Sequence, residues 1–245
     1  MMDVIYGKNS LLEALRNAKD NSYFDSIYLL KSDDEVFKLS KEKKIKVEII
    51  SKDRFNKILD DNNIEKVNHQ GYLGIVKEYK YYDLKDIISN KNDSLIVALD
   101  GLEDPHNLGA IVRTCEIAGV DGVILPKNRS VRVTPTVAKV STGATEYVKI
   151  AQVTNLVNTI KELKKAGYWI VGAEASEKST NFWSVDYNMK VCLVVGSEGK
   201  GVSRLVKDNC DFLVEIPMWG EVNSLNASVS CGILIYEIRR QQRSK

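Results

Sequence analysis

Three polar loops each follow a short apolar segment, and they hold the side chains best suited to chemistry in this sequence. They span residues 100–113 (DGLEDPHNLGAIVR), 196–201 (GSEGKG) and 216–230 (IPMWGEVNSLNASVS). Together they supply amides, carboxylates, hydroxyls and an arginine, but neither a Ser–His–Asp set nor metal-ligand spacing. Such groups suit the binding of a polar ligand between apolar walls better than hydrolysis.

The second loop is rich in glycine, which lets backbone N–H groups turn toward a ligand or lets the chain double back tightly. It is not a phosphate-binding GxxxxGK[ST] loop, because Val202 follows Gly201, and it does not fit the dinucleotide pattern GxGxxG. In the first loop, Asn107 is a candidate helix N-cap. Arg113 lies six residues later, so it projects from a different part of the same helix.

The elements that position these loops alternate from residue 95 onward. Apolar or β-branched runs predict strands at 95–99, 122–125, 148–150, 168–171, 191–195 and 213–216. Helical spacing predicts helices at 107–118, 134–141, 154–166 and 227–240. This alternation predicts a largely parallel sheet covered on both faces, whose ligands bind beyond the carboxyl ends of the strands. The three loops should therefore converge on one edge.

The first 77 residues predict a smaller α/β unit. Strand patterns lie at 27–30, 46–50 and 71–76, and helical patterns lie at 7–15, 33–44 and 54–60. The polar stretch 78–94 contains one weak helical segment and predicts a linker. Residues 95–245 then form the second domain.

The composition is that of an ordinary globular protein, with 44% hydrophobic and 28% charged residues among 245. The 35 basic and 33 acidic residues give a net charge of +2, which excludes a polycationic coat but not a local basic face. No apolar run approaches the ~18 residues of a membrane span, and the start lacks a signal-peptide pattern. We therefore expect a cytoplasmic protein with no membrane partner. The four scattered cysteines predict reduced thiols, and two histidines are too few for a recognisable metal site.

The three loops, in this order and at this spacing, resemble the motifs of the SpoU (TrmH-like) branch of the SPOUT RNA methyltransferases. The first motif is NLGAIVR at 107–113, the second is VVGSEGKG at 194–201, and the third joins IPM at 216–218 to NSLNAS at 223–228. The likeness extends over residues 95–242. The segments YGKNSLLEAL at 6–15 and HQGYLGIV at 69–76 resemble the family's ribosomal-protein-like substrate-binding domain.

This resemblance implies an α/β fold, with a C-terminal SPOUT domain that has a mainly parallel sheet and a trefoil knot. It implies S-adenosylmethionine as methyl donor, a ribose 2′-hydroxyl in RNA as acceptor, and a homodimer with the active site at its interface. The two-domain layout is most similar to enzymes that methylate a guanosine of large-subunit (23S) ribosomal RNA. The alternatives are tRNA or the rRNA targets of antibiotic-resistance methyltransferases, and a non-catalytic RNA-binding assembly factor. A nicotinamide-dependent enzyme is disfavoured because GxGxxG is absent.

The resemblance also assigns roles to residues. The catalytic candidates are Arg113, Asn107, Glu198, Ser224 and Asn226. The cofactor-binding candidates are Thr142, Gly143, Gly172, Ala173, Glu174, Gly196, Gly201, Ile216, Met218 and Leu225. The RNA-binding candidates are Arg16, Lys19, Lys43, Lys44, Arg129 and Arg132. Because a guanidinium stays protonated, we expect Arg113 to stabilise a 2′-oxyanion or anchor a phosphate rather than act as a base. Trp219 stands where the third motif leads us to expect a smaller residue, which bears on substrate fit.

Overall fold

The computed structural model of the chain describes residues 4–18, 23–62, 64, 67–77, 79–221 and 224–243. It forms two compact units, Met1–Lys80 and Tyr81–Lys245. The boundary comes earlier than the end of the expected linker at 78–94. The reason is that Ile87 is buried in the core of the second unit and Tyr82 pairs with Ala151 of that unit's sheet.

The first unit has a mixed sheet in the part that the structure describes. Its elements are β1 (Val4–Tyr6), α1 (Lys8–Asn17), β2 (Phe24–Leu29), α2 (Asp34–Glu42), β3 (Val47–Ile49), α3 (Lys52–Asp61) and β4 (Tyr72–Val76). The strand order is β1-β4-β2-β3, with β4 antiparallel to both neighbours and β2 parallel to β3. Apolar side chains of α1 pack on β2 through Leu11, Leu15 and Phe24, all buried.

The second unit alternates strands and helices. Its elements are α4 (Leu84–Ile87), β5 (Leu95–Asp100), α5 (Pro105–Ile117), β6 (Gly122–Pro126), α6 (Pro135–Val140), β7 (Ile150–Val153), α7 (Leu156–Lys165), β8 (Trp169–Ala173), β9 (Thr180–Asn181), β10 (Val191–Gly196), α8 (Arg204–Lys207), β11 (Phe212–Glu215) and α9 (Ala227–Arg243). Short 3₁₀ turns lie at Ala144–Glu146 and Phe182–Ser184. The sequence missed β9 and α8 because each is too short to show a period.

The sheet of the second unit is parallel throughout its described strands. Its order is β7-β6-β5-β10-β8-β11-β9, and every neighbouring pair runs in the same direction. The prediction of a mainly parallel sheet is therefore confirmed. All of these strands end on one side, which we call the carboxyl edge. In β10 every residue is buried, as expected for a central strand covered on both faces.

Arg239 holds the end of α9 to the body of the second unit. The side chain is 7% exposed, and its guanidinium donates to three backbone carbonyls, those of Ala118 (3.0 Å), Asp93 (2.6 Å) and Gly119 (2.5 Å). Its fork of donors therefore satisfies the end of α5 and the segment before β5 together. Burial lowers the pKa of Arg239 from its ordinary value, but an arginine stays protonated in proteins.

Replacing Arg239 by methionine should lower the free energy of unfolding of the second unit by about 3 kcal/mol or more. The apolar volume stays, but buried carbonyls lose their donors, and each such loss costs about 1–3 kcal/mol. Tryptophan fluorescence in a urea titration measures the free energy of unfolding of this unit, because Trp169, Trp183 and Trp219 all belong to it. The neighbouring Arg240→Ala is the control, since Arg240 is exposed and forms an ion pair with Glu237 on the same helix. Equal stability of the two variants would contradict the prediction.

The described cysteines are free, and they lie where burial suppresses their reactivity. Cys115, Cys192 and Cys231 are buried and Cys210 is partly buried. Burial raises the pKa of Cys231 and of Cys210 to about 12. These thiols are therefore protonated at neutral pH and are not activated nucleophiles. Among the described helices, none is long and apolar enough to cross a membrane.

Candidate functional site

The turn from β5 into α5 is capped by Asp104. Its carboxylate accepts hydrogen bonds from the backbone N–H groups of His106 (3.1 Å) and Asn107 (3.2 Å), and Pro105 occupies the first helical turn. The prediction that Asn107 is the cap was therefore wrong, because proline at the first helical position starts the helix earlier. The consequence matters for function, since the Asn107 side chain is left free to point elsewhere.

Asn107, Glu198 and Asn226 form one hydrogen-bonded network that joins the three loops. The Asn107 Nδ2 donates to Glu198 Oε1 (2.9 Å), and the Asn226 Nδ2 donates both to that oxygen (2.7 Å) and to Asn107 Oδ1 (2.9 Å). Asn226 Oδ1 in turn accepts from the backbone N–H and the hydroxyl of Ser228. The loops that follow β5 and β10 and the loop that precedes α9 thus meet at the carboxyl edge, as the parallel sheet predicts.

The glycine loop after β10 folds back tightly, so that its two ends are in backbone contact. A Cβ built on Gly196 would lie 2.0–2.3 Å from backbone atoms of Gly201 and Val202, so no other residue fits there. The Gly201 N–H donates to the carbonyl of Ser197 (2.9 Å), which closes the loop. The tight turn presents Glu198 at its tip, where the side chain is exposed and reaches the two asparagines.

Two carboxylates from neighbouring strands hold the far end of this loop. Asp100, the last residue of β5, accepts from the Ser203 N–H (2.7 Å). Glu174, just after β8, accepts from the Val202 N–H (3.1 Å) and pairs with Lys207 Nζ (2.7 Å). Since β10 lies between β5 and β8, the loop is fixed from both sides. Sequence reasoning named Glu174 but missed Asp100, whose position in register with Gly196 required the sheet order.

Arg113 stands apart from this network. It lies on α5, its side chain is exposed, and it makes no hydrogen bond or ion pair with another described residue. Ser224 is exposed in the loop before α9 and likewise has no hydrogen bond to the network among the described residues. Asn223, part of the third motif, lies outside the described residues. The structure therefore brings together three of the five catalytic candidates.

The cofactor-binding candidates fall into two groups. Most lie at the carboxyl edge, in or directly after β8, β10 and β11, or just before α9: Gly172, Ala173, Glu174, Gly196, Gly201, Ile216, Met218 and Leu225. Met218 and Leu225 are 39% and 37% exposed, which leaves apolar surface in the loop that carries Asn226. Backbone groups of glycine loops with apolar walls fit an adenosyl cofactor. Thr142 and Gly143 instead form the left-handed turn that ends α6, and no hydrogen bond in the described structure joins them to the network.

The RNA-binding candidates also differ in their surroundings. Arg16 pairs with Glu35, and Lys43 donates to the carbonyl of Ala18, so both have partners within the first unit. Lys44 is exposed. Lys19 lies outside the described residues.

Arg129 and Arg132 are exposed in the loop that follows β6 at the carboxyl edge. A Cβ built on Gly101 would be 3.9 Å from the Arg129 carbonyl oxygen and 3.9 Å from Ser197 Cβ, so this loop adjoins the glycine loop. Lys127 is exposed in the same loop, and sequence reasoning missed it. The signal was available, since three cations at 127, 129 and 132 follow one predicted strand.

These features define an α/β protein with a polar network and apolar walls at the carboxyl edge of a parallel sheet. Residues 94–236 match the sequence model of the SpoU rRNA methylase family, and residues 4–82 match that of the RNA 2′-O ribose methyltransferase substrate-binding domain. The chain belongs to the SpoU (TrmH) family and is an S-adenosylmethionine-dependent RNA methyltransferase. The expected family and its substrate-binding domain are thus confirmed.

Individual relatives agree with this. A Staphylococcus haemolyticus protein described as a TrmH family tRNA/rRNA methyltransferase is 47% identical over 212 residues, covering 85% of this chain and 82% of its own. The A. aeolicus TrmH/SpoU tRNA modifying enzyme is 35% identical with a TM-score of 0.58, over 66% of this chain and 81% of its own. The SpoU methyltransferase AviRb of Streptomyces viridochromogenes, crystallised with AdoMet, shares the fold at 21% identity and a TM-score of 0.68, over 100% and 92% of the two chains.

Replacing Glu174 by alanine should weaken S-adenosylmethionine binding about tenfold, because an unsupported loop and an unpaired Lys207 cost on the order of 1.4 kcal/mol. Glu174→Gln should lose less affinity for S-adenosylmethionine than Glu174→Ala, since its amide oxygen can still accept the hydrogen bond from the Val202 N–H. Isothermal calorimetry measures the affinity. Glu177→Ala is the matched control, because Glu177 is exposed three residues later and makes no described contact. Wild-type affinity in Glu174→Ala would show that the glycine loop holds its shape without this support.

Proposed function

We propose that this chain transfers a methyl group from S-adenosylmethionine to the ribose 2′-hydroxyl of a guanosine in large-subunit (23S) ribosomal RNA. The observation that carries the reaction is the Asn107–Glu198–Asn226 network, in which the three motif loops meet. The third of these loops also carries the exposed apolar side chains of Met218 and Leu225. This arrangement supports a site that fixes a cofactor and a polar acceptor together.

The choice of ribosomal RNA rests on the domain layout. The match to the RNA 2′-O ribose methyltransferase substrate-binding domain covers nearly all of the first unit. The A. aeolicus tRNA modifying enzyme matches 66% of this chain, so about a third of this chain is outside that match. A separate substrate-binding domain favours a large folded RNA, which proteins recognise by shape and by unpaired bases.

The residues of this chain have the following parts in the proposed reaction. When bound, S-adenosylmethionine supplies an electrophilic methyl group on a positive sulfonium. Asp100 and Glu174 hold the glycine loop, and the network of Asn107, Glu198 and Asn226 fixes the loops relative to one another. Such positioning contributes by aligning the reacting atoms. Arg113 donates to the 2′-oxygen as negative charge develops there, or anchors the adjacent phosphate.

We also propose a homodimer with the active site at its interface. Val229, Ile233 and Tyr236 recur along one exposed face of α9, and Ile117 is 61% exposed on the adjoining α5. An apolar face of this kind marks a protein contact. Ile117 lies on the same helix as Arg113, which has no described partner within its own chain. Light scattering should give twice the chain mass of 27.5 kDa, and a monomer would contradict the proposal.

The trefoil knot implied by the resemblance stays a prediction. Its support is local, because threading needs small residues where backbones cross, and Gly196 leaves no room for a Cβ against Gly201 and Val202. The RNA-contacting role of the first unit is likewise proposed, with Arg16 and Lys44 as its exposed candidates and Lys127, Arg129 and Arg132 as candidates in the second unit.

Mapping of 2′-O-methyl groups in ribosomal and transfer RNA, from cells with and without the gene, tests the proposed function. We expect the loss of methylation at one guanosine of the large-subunit RNA, restored by the purified protein and S-adenosylmethionine in vitro. Loss of a tRNA methylation instead would assign the tRNA alternative. No change at any site, together with retained RNA binding, would favour the assembly-factor alternative.

A further inference from the structure

Two exposed tryptophans stack on each other at the carboxyl edge of the second unit. Trp183 follows β9 in a short 3₁₀ turn, and Trp219 lies in the loop after β11. The two strands are parallel neighbours, so both residues come directly after carboxyl ends. The ring centroids are 6.3 Å apart and the rings are 19° from parallel.

The folded unit makes little use of these rings. Trp219 is 85% exposed and Trp183 is 50% exposed, although tryptophan buries more apolar surface than any other residue when it packs. Trp183 also contacts the buried Phe182, with ring centroids 5.0 Å apart. The result is a stacked pair of indole rings in contact with Phe182, with most of the Trp219 ring open to solvent. We call it the tryptophan platform.

The platform is placed beside the proposed active site. Trp219 belongs to the same loop as Met218 and Asn226, one a candidate cofactor wall and the other a member of the network. Along the sheet, β11 and β9 form one flank of the carboxyl edge, while the cations at 127, 129 and 132 follow β6 on the other flank. The network lies between an aromatic flank and a basic flank.

We propose that Trp183 and Trp219 stack against an unpaired nucleobase of the RNA substrate, close to the nucleotide that is methylated. This inference rests on the proposed function. Every base has a π face, so exposed aromatic rings hold single-stranded nucleotides without reading their sequence, while cations hold the phosphates. The basic flank would contact the phosphates of a single RNA strand, and the aromatic flank would contact its bases. The platform explains the large residue at Trp219, where the third motif leads one to expect a small one.

The test uses the three tryptophans of the chain. Trp169→Phe is the background variant, because Trp169 begins β8 at the opposite edge, beside Phe212. Its remaining emission comes from the platform alone. Titration with a short single-stranded RNA should quench this emission, and addition of Trp219→Ala should abolish most of the quenching. In the otherwise natural chain, Trp219→Ala and Trp183→Ala should each raise the KM for ribosomal RNA about tenfold. Trp219→Phe should restore most of the loss.

The remaining readouts separate this inference from its rivals. Affinity for S-adenosylmethionine and the oligomeric mass should not change, because the platform serves RNA. An unchanged KM for RNA overturns the inference. A weakened cofactor affinity with normal RNA binding also overturns it, because the rings would then contact the cofactor. A shift from dimer to monomer overturns it as well, because the rings would then contact a second copy of the chain. If the natural protein methylates no ribosomal RNA, the proposed function fails by itself, and the quenching titration still decides whether the platform binds RNA.

Discussion

Arg113→Ala is expected to lower kcat for methyl transfer by about 10²–10³-fold, as loss of a donor to a developing oxyanion does. Affinity for S-adenosylmethionine should stay within about threefold, equivalent to less than 1 kcal/mol. Arg113 contacts none of the described residues that hold the glycine loop, so removing it leaves the candidate cofactor site intact. Single-turnover methylation and calorimetry separate the two effects.

The expected loss follows from the chemistry of the guanidinium. A ribose hydroxyl is a weak nucleophile until its proton is leaving, and a planar cation with several donors stabilises the charge that appears on the oxygen. Arg113→Lys keeps the charge but not the fork, and we expect it to recover only part of the rate. If Arg113 had a merely structural role, the rates of Arg113→Lys and Arg113→Ala would not differ in this way.

Folding does not confound this test, because Arg113 is exposed and has no described partner to lose. Lys165→Ala is the charge-matched control, since Lys165 is an exposed cation at the end of α7, next to the start of β8 and away from the carboxyl edge. Near-normal turnover by Arg113→Ala, or an equal loss in Lys165→Ala, would remove Arg113 from the reaction.

The sequence predicted the second unit well because its strands are buried on both faces. Continuous apolar runs such as 191–195 leave few alternatives, and their alternation with helical periods requires parallel pairing. The two-residue strand β9 and the four-residue helix α8 had no period to detect. The linker prediction ran too far because 81–94 is polar overall, although the apolar side chain of Ile87 is enough to dock it.

The candidate site was predictable where a motif places polar side chains directly after strands. That rule indicated the three loops, and the family resemblance then named Asn107, Glu198 and Asn226 within them, although the exact donor and acceptor pattern required coordinates. The supports of the glycine loop did not follow, because Asp100 and Lys207 act across strands whose order the sequence does not reveal. The tryptophan platform was invisible for the same reason, since Trp183 and Trp219 are 36 residues apart and meet only through β9–β11 pairing.

Removing Glu198 should have a comparably large effect, and its variants can tell positioning from charge. Glu198 Oε1 accepts from the amides of both Asn107 and Asn226. Glu198→Ala leaves an unpaired amide donor on Asn107, which is only 6% exposed. It also removes the hydrogen bonds that join the glycine loop to the loops carrying Asn107 and Asn226. We expect kcat/KM for RNA to fall by about 10²-fold or more, because small misplacements at a site for in-line transfer are costly.

Glu198→Gln is the matched variant, because an amide oxygen can accept the same two hydrogen bonds without the charge. If the network acts by positioning, this variant should keep kcat/KM within about tenfold of the natural protein, a difference of about 1.4 kcal/mol. Asn107→Asp makes the opposite change, since it places a second carboxylate where the Nδ2 now lies 2.9 Å from Glu198 Oε1. Like charges at that distance repel, so Asn107→Asp should be as inactive as Glu198→Ala, and pairing it with Glu198→Gln should recover part of the activity. A Glu198→Gln variant as inactive as Glu198→Ala would mean that the carboxylate charge itself takes part in methyl transfer, and a double variant with no recovery would mean that Asn107 acts independently of Glu198.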